Sequence, residues 1–580
     1  MNNKKTVFRI LSYAKEQKVY LVGALLCALV SVALTLVAPV LVGKAIDNII
    51  GKGQVEFNNV FYILSIIVLT IVLSSLFQWL MGLCTYKISF KTVEKLREDV
   101  FKKYNNVPLS YIDRSVHGDL ISRTVNDIDA IGDGLLQGIT QLFSGVITIF
   151  GTLIFIISIN YQIALIVVVI TPVSLLVATF IAKLCAKQFK EQQQTQGELS
   201  GFINEIVGNQ KISKAFLMED INLEKFNEIN NRLYECGHKA QFASSLANPS
   251  ARFLNGIVYA TVGIVGAIST VNGVLTVGQL SCFLTYANQY TKPFNEMTGI
   301  LSQLQTAVAG AKRVFAVLDE KNQIDDKKSA REIIQCSGKI DIENVYFSYV
   351  ENQKLIENFN LHIKAGQRVA IVGPTGCGKT TLINLLMRFY EVTSGTIKVD
   401  DVDIKDITRT SLRKMYGMVL QESFLYSGTI KENIAYGKPD ATMEEIIQAS
   451  KNAFAHSFIT QMKDGYDTVI THQGGNLSQG QKQLLCIARV MLSNPPMLIL
   501  DEATSSIDTL TEKRVQVAFS KMMENKTSFV VAHRLSTIKE SDIILVLNKG
   551  NIIEQGTHNE LMSKNGFYYN LYNSQFAVNS

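Results

Sequence analysis

Four stretches of this chain contain no Asp, Glu, Lys or Arg: residues 19–43, 61–86, 135–182 and 253–291, of 25, 26, 48 and 39 residues. A helix crossing a bilayer needs about 20 apolar residues, because lipid offers no partner to a charge or to an unpaired peptide group. The first two runs are each long enough for one crossing. The last two are each long enough for a pair, with turns near Asn160-Tyr161-Gln162 and Asn272-Gly273. Six spans are expected. The chain is 47% hydrophobic and only 18% charged, with mean hydropathy +0.17, which is unusual for a soluble protein. The first run is too long for a signal-peptide core.

The connections alternate in length and charge. Those within the pairs one–two, three–four and five–six are short, with Lys44 and Lys52 as their only basic residues. Residues 87–134 hold Lys87, Lys91, Lys95, Arg97, Lys102, Lys103, Arg114 and Arg123, and residues 183–252 are similarly basic. The positive-inside rule places these loops and both termini in the cytoplasm, and a net charge of +6 fits that bias. No basic stripe is present, so nucleic acid is not an expected partner. Residues 1–18 set Lys4, Lys5, Arg9, Lys15 and Lys18 around Val7, Ile10, Leu11 and Ala14. That spacing predicts a helix at the membrane surface, with a solvated tail as the alternative. The long loops read as cytoplasmic extensions of the spans, broken near 108–112 and 208–210. Tyr111, Ile112, Ile212 and Phe216 are candidate docking knobs there, with ordinary inter-helix packing as the competing reading. Eight cysteines form no C-x-x-C pair, so neither a metal site nor a disulfide framework is expected.

A helical pattern continues to residue 318 and a polar, charged run follows. The expected domains are a transmembrane domain over 1–318, a linker over 319–335 and an α/β domain over 336–580. In the last, β-type runs (340–349, 368–372, 396–399, 497–500, 527–532, 543–547) alternate with helical ones. Gly373-Pro374-Thr375-Gly376-Cys377-Gly378-Lys379-Thr380 fits the phosphate-binding pattern G-x-x-x-x-G-K-[ST]. An apolar strand leads in and a helical pattern starting at Thr381 leads out, which disfavours a chance Gly-rich turn. Glycines let successive N–H groups converge on one phosphate of ATP, and the helix N-terminus adds positive charge. Lys379 is expected on the β- and γ-phosphates and Thr380 on Mg²⁺. Cys377 reads as a small residue that fits the loop, or as a thiol-reactive handle. Met497-Leu498-Ile499-Leu500 runs into Asp501 and Glu502, an acid pair suited to Mg²⁺ and to polarising an attacking water.

Leu477-Ser478-Gln479-Gly480-Gln481, followed by a helical run from Lys482, resembles the L-S-G-G-Q signature of ATP-binding cassette (ABC) ATPases. With it the resemblance covers the whole chain. Six spans followed by one cassette look like a half-transporter of the type IV ABC exporter fold, in the multidrug and lipid exporter subfamily. The implied fold class is a multidomain membrane protein: a six-helix α transmembrane domain followed by an α/β P-loop ATPase domain.

The resemblance implies roles for individual residues. Tyr349 stacks on adenine. Gly373 to Thr381 hold the phosphates. Gln421 contacts Mg²⁺ and the attacking water, and Asp501 holds Mg²⁺. Glu502 orients the water and His533 contacts the γ-phosphate. Ser478, Gly480 and Gln481 close over the nucleotide of a partner cassette, Ser505-Ser506-Ile507-Asp508 crosses to that partner, and residues 108–118 and 208–219 match the coupling helices. Two positions depart from the family. Gln479 replaces a glycine, and His472 stands where exporters commonly carry a glutamate. A Gln-bearing signature beside an intact Glu502 is similar to the competent subunit of heterodimeric exporters, so a different half-transporter is favoured as partner over a second copy.

The charge-free spans point to hydrophobic or amphipathic cargo (drugs, lipids or lipophilic peptides), with Gln78, Gln141 and Gln289 as polar points. A multi-pass protein of a bacterial plasma membrane is expected. With no domain ahead of the spans, a peptidase-containing exporter is not. An importer on the same fold, for instance for siderophores, and an ATP-gated channel are the alternatives.

Overall fold

The computed structural model describes residues 3–49, 55–159, 161–350, 353, 355–420, 423–471, 475–501, 508–532 and 535–575. The chain divides into two compact units: Met1–Val107 with Ser115–Lys321, and Pro108–Arg114 with Asn322–Ser580.

In the first unit the charge-free runs are helical. The long helices are Lys18–Asp47, Phe57–Asn106, Ile128–Ile159, Tyr161–Gly208, Ala247–Val271 and Val277–Leu318. Among the described residues, Lys18–Asp47, Phe57–Asn106 and His117–Ile159 are long and apolar enough to cross a membrane. The helices run well past their apolar parts: Phe57–Asn106 has 50 residues and Tyr161–Gly208 has 48, each about 75 Å at 1.5 Å per residue.

Small residues and internal polar pairing hold helices together where lipid supplies no hydrophobic drive. A Cβ on Gly278 would lie 2.0 Å from the Gly43 carbonyl oxygen, so helices 18–47 and 277–318 touch backbone to backbone there. Asp47 accepts from Gly278 N and Thr276 Oγ1, both at 2.8 Å. Further along the same seam, Cys282 Sγ donates to the Pro39 carbonyl at 2.9 Å and Tyr286 Oη to the Leu36 carbonyl. Pro39, which lacks an N–H, breaks the ladder in this region. Ser31 and Ser74 exchange hydroxyl-to-carbonyl bonds at 3.0 and 3.1 Å between helices 18–47 and 57–106.

The basic N-terminal stretch forms helix Asn3–Lys15 and buries Thr6, Ile10 and Ala14. Arg9 spans both Asp319 carboxylate oxygens at 2.7 and 2.8 Å and lies 4.3 Å over the Phe315 ring. Tyr13 donates to Asp99 at 3.0 Å. Burial, with that carboxylate, pushes its hydroxyl up to about 12. One face of this helix is therefore docked on protein, while Phe8 stays 74% exposed.

The second unit contains strands β1 Ile340–Phe347, β2 Ile356–Ile363, β3 Arg368–Val372, β4 Ser394–Val399, β5 Val402–Asp403, β6 Tyr416–Val419, β7 Gly428–Thr429, β8 Val469–Ile470, β9 Met497–Asp501, β10 Thr527–Val531, β11 Ile543–Asn548 and β12 Asn551–Gly556. An antiparallel sheet runs β2-β1-β4-β5. A larger one runs β12-β11-β3-β10-β9-β6, parallel except for β12, and β7 pairs with β8.

Side chains of the larger sheet alternate between cores. Val369, Ile371, Met497, Ile499, Phe529 and Val531 enter the core shared with the antiparallel sheet and helix Lys379–Leu386. Leu498, Leu500 and Val530 enter the core under helices Gln479–Ser493 and Thr509–Met523. The period-2 geometry of a strand thus puts these helix sets on opposite faces.

Residues 322–335 belong to this unit. Asp326 and Glu391 bracket the buried guanidinium groups of Arg388 and Arg409, with Arg409 Nη1 2.6 Å from Asp326 and Nη2 2.7 Å from Glu391. Ile333 exchanges two hydrogen bonds with Ser411.

Candidate active site

The parallel register assembles the site. Ile371 pairs with Val531, Val531 with Asp501, and Val419 with Leu500. Strands β3, β10, β9 and β6 therefore finish at nearly one level, the edge where open α/β sheets receive ligands. The phosphate loop leaves β3 there, and Asp501 closes β9. Gln421, Glu502 and His533 follow β6, β9 and β10 by one or two positions. All three lie outside the described residues, as do His472 and Ser505-Ser506-Ile507.

Gly373 takes φ 152°, and a Cβ on it would meet the Leu547 carbonyl oxygen at 2.2 Å. Only glycine passes β11 this closely. Gly378, at φ 105°, caps helix Lys379–Leu386 in the left-handed region. Pro374, Thr375 and Gly376 form the exposed crest, and Thr380 is exposed beside it. Lys379 Nζ folds back onto the Gly373 and Pro374 carbonyls at 2.8 and 3.1 Å. Cys377 is 3% exposed and its carbonyl accepts from Gly550 N at 2.9 Å. Its thiol fills core volume, which favours the space-filling reading over the reactive handle.

Thr381 is buried, and its Oγ1 accepts from the Tyr349 hydroxyl at 3.3 Å. The Tyr349 hydroxyl in turn accepts from Asn384 Nδ2 at 3.2 Å. Sequence reasoning did not single out Asn384. It lies one helical turn after Thr381, a relation visible only once Tyr349 is placed over that helix. Phe347 and Tyr390 stand nearly perpendicular to the Tyr349 ring, each with its centroid 4.9 Å away. Two residues of helix Leu109–Arg114 also reach this corner, since that segment belongs to the cassette unit. Tyr390 Oη donates to Asp113 Oδ2 at 2.5 Å, and Arg114 donates to the Tyr349 carbonyl. Burial and the Asp113 carboxylate push the Tyr390 hydroxyl well above its usual range. Tyr111 and Ile112 are half-buried, whereas Ile212 and Phe216, around helix Gln210–Ala215, are exposed.

The signature residues begin a helix. Ser478 caps Gln479–Ser493, its hydroxyl accepting from Gln481 N at 3.3 Å while Gln481 Oε1 accepts from Ser478 N at 2.9 Å. This is a capping box, which satisfies two otherwise orphaned donors. Gly480 is buried and Gln479 exposed. The helix lies across the sheet from Lys379–Leu386. Among the described residues, no hydrogen bond or ion pair joins 477–481 to 373–381. Asp508 caps Thr509–Met523, and its bonds to Thr511 hold its carboxyl below the usual range.

Comparison with known proteins agrees with this arrangement. Residues 21–294 match the family of the ABC transporter transmembrane region, and 356–505 match the ABC transporter family. An uncharacterised ABC transporter ATP-binding protein of Bacillus subtilis (strain 168), YfiC, is 40% identical over 99% of this chain and 95% of its own length. A fatty acid ABC transporter ATP-binding/permease protein of Mycobacterium bovis is 39% identical over 90% of this chain and 83% of its own. The structure of a bacterial Atm1-family ABC exporter with ATP bound superposes with TM-score 0.80 at 27% identity, covering 96% of this chain and 98% of that one. One transmembrane region and one ATPase cassette share a single chain, so the protein belongs to the ABC transporter family, as an exporter-type half-transporter that couples ATP hydrolysis to transport and dimerises in the lipid bilayer.

Proposed function

We propose that this chain is the hydrolysing subunit of a pair that moves lipids or lipophilic drugs out of the cytoplasm or the inner leaflet of a bacterial plasma membrane. Its cassette and both termini are cytoplasmic. The observation that carries the reading is the placement of the phosphate loop and the signature on helices at opposite faces of one sheet. One chain then contributes half of each of two sites, and a second half-transporter completes them. Gln479, exposed on the first turn of the signature helix, makes a different half-transporter the favoured partner. The cargo class rests on the charge-free spans, which offer an ionic ligand no counter-charge. The mycobacterial relative, named for fatty acids, is in keeping with it.

The loop suits a Mg²⁺-bound triphosphate. Among the described residues no side chain caps its helix at Gly378, and Lys379 rests on carbonyls rather than on a carboxylate. We assign the β- and γ-phosphates to Lys379 and the loop N–H groups, and adenine to Tyr349. Thr380, Asp501 and Gln421 would hold Mg²⁺, which supplies charge neutralisation on the phosphates. Glu502 orients the attacking water and His533 contacts the γ-phosphate. Ser478, Gly480 and Gln481 serve the partner's nucleotide.

The test is ATP-driven accumulation of a labelled long-chain fatty acid or lipophilic dye in inside-out vesicles holding the purified assembly, with Glu502→Gln as control. Accumulation that Glu502→Gln abolishes, with ATP binding kept, is the expected result. ATP-driven loss from preloaded vesicles, or flux without ATP, overturns export. Affinity purification from the native membrane should return two half-transporters in equal amounts. A dimer of this chain alone overturns the heterodimer.

A further inference from the structure

We propose that Tyr390 is a positioning residue for the base of the nucleotide, acting through Tyr349 and held in turn by Asp113. The proposal rests on the reading that Tyr349 stacks on adenine. A stacking platform binds more tightly when its ring plane is set before the base arrives, since a freely turning ring spends affinity on ordering. Tyr349 is restrained at three points. Its hydroxyl is tied to Thr381 and Asn384, its carbonyl accepts from Arg114, and its ring packs against Phe347 and Tyr390, which also meet each other at 5.8 Å, with interplanar angles of 84° and 89° to Tyr349.

Phe347 is a buried strand residue within the core. Tyr390 differs, because its free end carries a hydroxyl that donates to Asp113 at 2.5 Å. Asp113 and Arg114 are adjacent on helix Leu109–Arg114, so one short segment grips the stacking residue twice: directly at its carbonyl, and through Tyr390 at its ring. That segment therefore affects how well the base is held, and by linkage a bound base stabilises the segment where it lies. Lys379, assigned above to the phosphates, bonds the Gly373 and Pro374 carbonyls and none of these groups.

The experiment compares two ligands on the full-length protein in lipid nanodiscs, titrated calorimetrically in EDTA so that no turnover occurs. ATP carries the base and inorganic tripolyphosphate does not. Tyr390→Ala should weaken ATP by about 2- to 12-fold, the worth of one aromatic pair, and leave tripolyphosphate unchanged. Tyr349→Ala should show the same selectivity more strongly. If Tyr349→Ala loses ATP affinity and Tyr390→Ala does not, the role of Tyr390 is overturned while stacking stands. If Tyr349→Ala changes neither ligand, the stacking reading falls, and this proposal with it. Equal losses for both ligands in Tyr390→Ala mean a damaged fold and also overturn it. Asp113→Ala should give a smaller ATP-selective loss, and Asp113→Ala with Tyr390→Phe should be no worse than either alone. Additive losses overturn the link to Asp113.

Discussion

Removing the Asp326 carboxylate is expected to destabilise the cassette by about 3 kcal/mol. The Arg388 side chain is 4% exposed and that of Arg409 10%, and two carboxylates, Asp326 and Glu391, serve both. Arg388 also donates to the Ile404 and Ile407 carbonyls, so its charge cannot swing out to water without losing those bonds. In Asp326→Ala two buried cations share one acid. Breaking a buried pair in this way costs about 3–5 kcal/mol, most of it the penalty on the charge left behind. The lower figure applies because Asp326 itself keeps 27% exposure. For a unit of this size each kcal/mol is worth about 2–4 °C, so the cassette transition should fall by roughly 6–12 °C in a thermal scan of the full-length protein. Asp326→Asn, which keeps an acceptor for Arg409 N, should lose less. Raising salt to 1 M should leave the wild-type transition in place, since screening barely reaches a buried network. A fall under 2 °C in Asp326→Ala, or a wild-type transition that drops in high salt, would refute the argument.

Three further outcomes are expected. Gly550→Ala asks alanine to hold φ 82°, and its Cβ would sit 1.4 Å from the Leu355 carbonyl oxygen. The left-handed cost alone is about 1–2 kcal/mol, and because Gly550 N braces the Cys377 carbonyl, calorimetry should find ATP and tripolyphosphate weakened together. Gly278→Ala drives a methyl group into the Gly43 carbonyl, so the helical unit should melt earlier by about 1–3 kcal/mol of overpacking, read by helicity loss on heating. Cys336 is pushed up to about 12 by burial and by Asp400, so its thiolate stays scarce up to that range. Its alkylation by iodoacetamide, followed by peptide mass analysis, should lack the plateau near pH 9 that an ordinary thiol, of pKa about 8.5, begins to reach.

What could be read ahead of the structure follows burial. Strands β3, β9, β10 and β11 of the parallel sheet stand out because they are buried and largely apolar, whereas β6, four residues long and interrupted by Gly417, does not. Strand β2 was not legible. It is buried at Ile356, Phe359, Leu361 and Ile363, with Asn358 at φ 51°. The partners Val345↔Phe359 and Phe347↔Ile356 bracket a bulge, which breaks the alternation a strand pattern needs. The signature stood out as a family pattern, yet its S-x-x-Q spacing was also a helix start, and the helix begins at Gln479, three positions before the run that spacing suggested. The Tyr390–Asp113 pair spans 277 positions. No local spacing foretells a bond that exists only because segment 108–114 packs with the cassette.

The same alternation that separates the two halves of the ATP site also couples them through one sheet. Helix Gln479–Ser493 ends at Asn494 in the left-handed region, and Pro495 and Pro496 then prevent any helical continuation. The chain enters β9 directly, where Leu498 and Leu500 pack beneath that helix while Met497 and Ile499 reach the opposite core. Asp501 closes the strand at the edge where the phosphate loop begins. With only Pro495 and Pro496 between Asn494 and Met497, a shift of the signature helix against the strand end has to disturb the close-packed core beneath that helix. The expected consequence is that a signature closing over a nucleotide carries much of its own cassette with it. In a dimer with one such signature facing each phosphate loop, the two sites are then expected to engage together, which distance measurements between spin labels on Gln479 and on Thr375 of the two cassettes would check: independent closing of the two sites would refute the coupling.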